Sequence, residues 1–341
     1  MRRLHLVHAP TPLIKREALD ELIGCDVWIK RDDATGGAEA GNKVRKLEWL
    51  MGQALERGAT HVVTCGGIQS NHARATAIVC ASLGLACTVL LRVPDSQGSL
   101  PGPDVDAPRE LVPTSGNVLL DRMVGAHVRL ITPRDYVDRN ACMARVAAEL
   151  HLRGETPYVI PEGGSNGLGS LGYVEAMREV REQLDLGLGG GKPYDVVVHA
   201  CGSGGTAAGV ALGVAAFGVA DTVRTFAVCD DAAYFEKVIA RVTIEARAYD
   251  PTLGEPAEVV VDDASKGPRY GVMTDEQLAF IAMVARKTGV ITDPVYTGKA
   301  LFGLRAAVQR GDLSKRARVL FIHTGGLPGL LAEGSTLASV V

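Results

Sequence analysis

Residues 60–84, THVVTCGGIQSNHARATAIVCASLG, carry the reading that decides the fold. THVVTC is a β-branched run that suits a strand. Gly66 and Gly67 turn the chain, and NHARATAIVCASLG has helical apolar spacing and ends on glycine. A strand, a glycine turn and a helix in that order form one unit of a parallel sheet covered by helices, and the unit recurs along the chain. Strands are expected at 60–65, 86–91, 127–132, 157–162, 194–200, 225–230 and 318–324. Helices are expected at 44–58, 71–84, 136–154, 171–184, 204–218, 274–289 and 297–311. Two stretches break the rhythm. Residues 94–116, rich in Pro, Gly and Asp, read as a surface loop, and LGLGGGKP (186–193) reads as an exposed connection.

At 341 residues the chain is long enough for two α/β domains. Hydrophobic residues at 47% and charged residues at 22% argue against disorder and against a membrane protein. A net charge of −3 leaves no basic footprint for nucleic acid. The seven cysteines are scattered and never spaced C-x-x-C, so neither a disulfide framework nor a zinc site is expected, and a reducing cytosol fits. The first residues carry no apolar signal region, and no stretch is apolar enough to span a bilayer, so a cytoplasmic protein without membrane partners is expected.

Five segments carry candidate chemistry. In GNKVRKLEWL (41–50), Lys43 stands where a glycine-rich loop enters a helix, although most lysines in such a place are simply solvated. In GGIQSNH (66–72), Ser70 and Asn71 open a helix whose free N–H groups attract an anion; helix capping alone would also explain them. His72 reads as a solvent-facing residue of the first turn. In GSGGT (202–206), the backbone N–H groups of Ser203, Gly204, Gly205 and Thr206 form a phosphate cup. Gly202, Gly204 and Ala207 also satisfy a dinucleotide-binding spacing, with Asp230 and Asp231 closing the next strand, and a glycine turn needed only for packing is a third reading. TDPVYTGKALFGL (292–304) and FIHTGGLPGL (321–330) place Tyr296 and Thr324 at the ends of elements, where α/β sheets gather ligands, and RYGVMT (269–274) adds Tyr270.

Taken in order, HAPTPLIK, WIKRDD, GNKVRKLE, GGIQSNHAR, SGNVLLDRMVGA, PEGGSN, GSGGT, DPVYTGKA and HTGGLPG resemble the pyridoxal 5′-phosphate (PLP) family of 1-aminocyclopropane-1-carboxylate deaminase and D-cysteine desulfhydrase. That family belongs to the tryptophan synthase β-like group, fold type II, and the resemblance spans nearly the whole chain. It implies a two-domain α/β fold with parallel sheets covered by helices and the cofactor in the interdomain cleft. The larger domain would be 1–45 with 153–341 and the smaller one 46–152; a homodimer is implied as well. Lys43, rather than Lys46, would hold PLP covalently and act as the base once substrate displaces it. Ser203, Gly204, Gly205 and Thr206 would hold the phosphate without a metal, and Thr324 would face the pyridine nitrogen. Asn71 would touch cofactor or substrate, and Ser70 the substrate carboxylate. Tyr270, Tyr296 and Thr297 would line the substrate side, with Ser70 and Tyr296 as further catalytic candidates.

The expected activity is α,β-elimination from a small amino acid, D-cysteine above all, giving pyruvate, hydrogen sulfide and ammonia. The cyclopropane-opening members carry glutamate where this chain has Thr297, which tilts the reading away from ring opening. Cyclopropane deamination and L-cysteate cleavage stay open. So do two readings of another class: a dinucleotide-binding oxidoreductase and a PLP-binding protein without turnover.

Overall fold

In the computed structural model, which describes residues 2–93, 104–338 and 340, ten strands form two sheets among the described residues. They are β1 Leu13–Lys15, β2 Asp26–Lys30, β3 His61–Gly67, β4 Ala86–Arg92, β5 His127–Ile131, β6 Pro157–Val159, β7 Tyr194–Cys201, β8 Ala220–Ala227, β9 Val259–Asp262 and β10 Arg318–Ile322. The larger sheet runs β1-β2-β10-β7-β8-β9, parallel except for the β1–β2 pair, and the smaller runs β5-β4-β3-β6, parallel throughout. The helices that matter below are α1 Glu17–Ile23, α2 Asn42–Glu56, α3 Asn71–Ser82, α4 Gly116–Met123, α5 Pro133–Val137, α6 Arg139–Leu152, α7 Gly167–Asp185, α8 Gly205–Phe217, α9 Ala232–Tyr249, α10 Asp275–Thr288, α11 Thr297–Arg310 and α12 Leu327–Ala332. This is the α/β architecture the strand–turn–helix rhythm implies.

Both faces of each sheet are covered, which is why the parallel strands read as nearly continuous apolar runs. On β3, Val62 packs with Leu47, Leu50 and Met51 of α2, while Val63 and Cys65 turn to Met143 and Val146 of α6. The larger sheet buries Val196 and Phe321 against α1, α10 and α11, and Val197 and Leu320 against α7 and α8. No helix of the described residues is long and apolar enough to cross a membrane.

Several expectations change in detail. The run 157–162 is a strand only to Val159; Gly163 and Gly164 then take positive φ and turn the chain. Because β6 pairs with β3, residues 157–159 belong to the smaller sheet, beyond the boundary expected at 152. The helix expected over 136–154 is two helices broken at Asp138, and the first is started by a Thr132–Asp135 capping box with Pro133. Of the expected 94–116 loop, residues 94–103 lie outside the described residues, and a helix begins at Gly116. The 186–193 connection is mostly exposed, but Gly189 is buried under Leu13 and Tyr194. Sequence periodicity missed β2, DVWIK, whose terminal charges disguise a strand held between β1 and β10.

Lys30, the last of those charges, belongs to a buried network, whereas Asp26 at the other end of β2 is partly exposed and pairs with Lys15. Arg45 reaches Asp32 with Nε and Nη2, both at 2.8 Å, and Glu179 at 3.0 Å. Lys30 meets Glu179 at 2.5 Å, and the Tyr173 hydroxyl donates to Asp32 at 2.7 Å. Burial opposes ionisation of Asp32, yet Arg45, Lys30 and Tyr173 together hold its carboxyl below the usual carboxylate range. Removing one partner leaves buried charge uncompensated, so Asp32→Ala is expected to lower unfolding free energy by about 3–5 kcal/mol. Urea denaturation measures it; a loss under about 1 kcal/mol, the worth of an exposed pair, would show that the network does not anchor α2.

Candidate active site

The C-terminal ends of the two sheets face a cavity of about 550 Å³. Lys43 lines it from the first turn of α2, Ser70 and Asn71 from the start of α3, and Ser203, Gly204 and Thr206 from the turn after β7. Tyr270, Tyr296 and Thr324 complete the wall. Segments more than two hundred residues apart in sequence therefore meet where open α/β sheets place their ligands.

Lys43 Nζ donates to Asn42 Oδ1 at 3.0 Å, and Asn42 Nδ2 donates to Thr206 Oγ1 at 3.2 Å. One side chain thus couples the lysine to Thr206 at the start of α8. Burial lowers the Lys43 ammonium to about 8; Cys201, Glu162 and Asp293 pull the other way, and Arg74 adds to the lowering. Lys46, three residues on, turns away from the cavity and donates to Gly163 O at 3.1 Å and Ser165 Oγ at 3.2 Å.

The cup at the start of α8 has the free first-turn donors of any helix, and Thr206 and Ala207 of that turn line the cavity. The N–H of Gly205 is not among them, for it donates to Ser203 O at 3.0 Å. Gly205 is needed for another reason: a Cβ there would stand 2.7 Å from Ser165 Oγ and 2.8 Å from its Cα. Ser165 also hydrogen-bonds Ser203 Oγ at 2.8 Å, so the PEGGSN turn is the back wall of the cup. Sequence reading used PEGGSN only as part of a resemblance and missed Ser165. Its signal is a polar, glycine-flanked turn between a strand and a helix.

On the opposite wall, Ser70 Oγ accepts the Ala73 N–H at 3.2 Å, so it caps α3 while lining the cavity. Asn71 Oδ1 accepts from Asn117 Nδ2 at 3.0 Å, and Asn117 also grips Gln69, which explains the SGN motif as a brace for the GGIQSN turn. His72, expected in solvent, is 3% exposed. Its Nε2 bonds Thr64 Oγ1 at 2.8 Å, and Thr64 donates onward to Ile160 O, which assigns the proton to Nε2. Burial, with Lys43 and Lys46 nearby, pushes the imidazole well below its ordinary value and keeps it neutral.

Tyr270 and Tyr296 share a 2.7 Å hydrogen bond between hydroxyls, with their rings edge to face, and the Tyr296 ring lies 5.9 Å from Lys43 Nζ. Burial raises both phenols above their ordinary range, so they are protonated. Asp293 sets Tyr296 in place: its carboxylate accepts the N–H groups of Val295, Tyr296 and Thr297 at 2.8–3.0 Å. Thr297 does not join the substrate wall as expected. It is 1% exposed and spends its hydroxyl on Asp293 at 2.5 Å, the same carboxylate that accepts its N–H. At the rim Glu162 pairs with Arg139 at 2.8 Å and accepts from Tyr136, and Arg92 lies 4.8 Å from the Tyr136 ring and 5.6 Å from that of Tyr270. Among the described residues no cluster of acidic, His and Cys side chains is arranged to hold a metal.

The chemistry available is that of an amine lowered to about 8 beside an anion cup, with a second helix N-terminus across the cavity and two proton-bearing phenols between. A phosphorylated aldehyde fits these residues: Lys43 for the aldehyde carbon, the cup for phosphate, and Thr324 beyond. Residues 4–325 match the family described as pyridoxal-phosphate dependent enzyme. A bifunctional D-cysteine desulfhydrase/1-aminocyclopropane-1-carboxylate deaminase, mitochondrial, of Arabidopsis thaliana is 42% identical over 98% of this chain and 81% of its own length. A putative 1-aminocyclopropane-1-carboxylate deaminase of Thermotoga maritima is 37% identical over 98% of this chain and 99% of its own. The crystal structure of an ACC deaminase homologue superposes with a TM-score of 0.86 at 34% identity, covering 100% of this chain and 97% of that one.

With its amine lowered to about 8, Lys43 is expected to capture pyridoxal phosphate at a rate that rises to about pH 8 and then levels, whereas an ordinary lysine climbs on toward about pH 10. The absorbance of the yellow adduct follows the capture, and borohydride reduction with peptide mapping locates it. An adduct on Lys46, or a rate still climbing at about pH 10, would sink the assignment.

Proposed function

Because this chain belongs to the pyridoxal-phosphate dependent enzyme family, we propose that it is a lyase that eliminates the β-substituent of a small amino acid, D-cysteine before others. The observation that carries the reading is the meeting of Lys43, the Ser203–Thr206 cup and the Tyr270–Tyr296 pair in one cavity. The bound cofactor supplies an electron sink for the bonds at the substrate Cα.

The residues of this chain do the rest. The start of α3, with Ser70 and Asn71, binds the substrate carboxylate through its free N–H groups and positive dipole end. Lys43, neutral when released, takes the proton from Cα. The Tyr296 hydroxyl, bonded to that of Tyr270 and carried on a backbone whose N–H is held by Asp293, donates a proton to the departing sulfur and exchanges it along the Tyr270–Tyr296 hydrogen bond. Thr324 would meet the far end of the cofactor from a backbone held against Asn42, whose N–H donates to Thr324 O at 3.1 Å. Water then completes conversion to pyruvate and ammonia, with hydrogen sulfide as the third product.

Cyclopropane deamination, named for both relatives, is the second reading. It asks for acid help at a ring carbon; of the three carboxylates that line the cavity, Glu162 is engaged by Arg139 and Tyr136 and Glu245 by Arg241 at 3.2 Å, and Asp230 is exposed to solvent. Thr297 carries less of this argument than its place in the motif implied, since its side chain faces Asp293. A homodimer in the cytoplasm completes the proposal; the Arabidopsis relative is named as mitochondrial, so the compartment is the part to check first.

D-Cysteine is expected to give pyruvate and sulfide with a kcat/KM at least about tenfold above that for 1-aminocyclopropane-1-carboxylate, a ratio that compares transition-state stabilisation directly. Sulfide and 2-oxo-acid assays on the holoenzyme measure it. Preference for the cyclopropane substrate would reverse the assignment.

A further inference from the structure

Tyr270 reaches the cavity from the corner of a tight turn. Arg269 and Val272 face each other across an antiparallel bridge, and Val272 N–H donates to Arg269 O at 3.1 Å. Gly271 takes a φ of 74°, the positive value that a type II turn requires at its third position. The same carbonyl, Arg269 O, accepts a second hydrogen bond from Lys299 Nζ at 2.9 Å. Lys299 also donates to Val228 O at 3.2 Å, at the end of β8.

Lys299 is fully buried, and both of these partners are backbone carbonyls. An ammonium is costly to bury unless its donors are used, so this one is present for what it holds. The loop closes around it: a Cβ on Gly267 would stand 3.4 Å from Lys299 Nζ and 3.0 Å from Val272 O. Tyr296 is the residue immediately before α11 and Lys299 stands in the first turn of that helix. There Tyr296 holds the Tyr270 hydroxyl at 2.7 Å, and Lys299 holds the peptide carbonyl just before Tyr270. Val228 ties the arrangement to the phosphate cup, since its side chain packs 3.3 Å from where a Gly202 Cβ would be.

We propose that Lys299 is a positioning residue, whose ammonium fixes the Arg269–Val272 turn and thereby aims the Tyr270 phenol at the bound substrate. The proposal rests on the substrate-side reading of Tyr270 given above. It accounts for the lysine of DPVYTGKA, which does not line the cavity: the chain entering α11 carries a hydroxyl and an ammonium that grip one tyrosine at its two ends.

The test is a double-mutant cycle on the holoenzyme with Lys299→Met, Tyr270→Phe and the pair combined. Turnover is followed with D-cysteine and with β-chloroalanine, so that failure of D-cysteine as a substrate is told apart from failure of the positioning role. Each single exchange is expected to lower kcat/KM roughly tenfold, and the double no more than about twofold further, because Lys299 acts only through Tyr270. The yellow absorbance band is expected to be unchanged in Lys299→Met, since the lysine does not touch the cofactor. Losses that multiply in the double variant, or wild-type turnover in Lys299→Met, would overturn the proposal. Wild-type turnover in Tyr270→Phe would overturn it through its premise. Where Lys299→Met does not fold, Lys299→Gln, whose shorter, uncharged side chain loses the ammonium, takes its place in the cycle with the same outcomes.

Discussion

Everything at the cavity depends on the ion pair between Arg45 and Asp32, because it fixes the rotation of the first turn of α2. Lys43, Arg45 and Lys46 lie within that turn and point three ways: into the cavity, into the buried network, and under the PEGGSN turn. A helix turns about 100° per residue, so a rotation that broke the Arg45 contact would carry Lys43 out of the cavity. The pair is a poor source of net stability, since desolvating both ions offsets most of their attraction. Its worth is orientation. Asp32 and Lys30 come from the end of β2 and Glu179 from α7, so the network also locks α2 to the larger sheet while its apolar face packs on the smaller one.

The cavity exists because α2 bridges the two sheets and both end their parallel strands there. That convergence explains where glycine is obligatory. Gly41 sits at a φ of 125° immediately before α2, and a Cβ on it would approach Thr324 O to 3.1 Å, so Lys43 and the C-terminal strand end can come together only without a side chain at that position. Gly205 serves a similar close approach, between the cup and Ser165.

Buried amines are the electrostatic signature of the site. Burial pushes Lys43 and Lys299 down to about 8, and Lys46 well below the ordinary value with Lys43 adding repulsion. The same physics serves three tasks. Lys43 is made nucleophilic beside the cavity, Lys46 braces the back of the anion cup through Ser165, and Lys299 holds backbone carbonyls behind Tyr270. A phosphate in the cup would favour the charged form of the amines nearest it, a coupling that the cofactor itself would set.

By itself the sequence determined the order of strand, glycine turn and helix, because periodicity and helix ends are local properties written within a dozen residues. It also singled out Lys43, Ser70, Asn71, the 203–206 cup, Tyr270, Tyr296 and Thr324, all of which line the cavity except Gly205, because each stands at an element end beside glycine or within a motif. Side-chain direction was not local. Thr297 follows Tyr296 directly, yet one faces Asp293 and the other the cavity, and only the path of the chain before α11 separates them. His72 is buried against Thr64 of β3, which passes its own hydrogen bond to Ile160 ninety-six residues on, and Lys46 finds its partner 117 residues away. The tertiary structure alone decided these, because a polar side chain is committed by the nearest unsatisfied donor or acceptor in space, and spacing along the chain does not encode that distance.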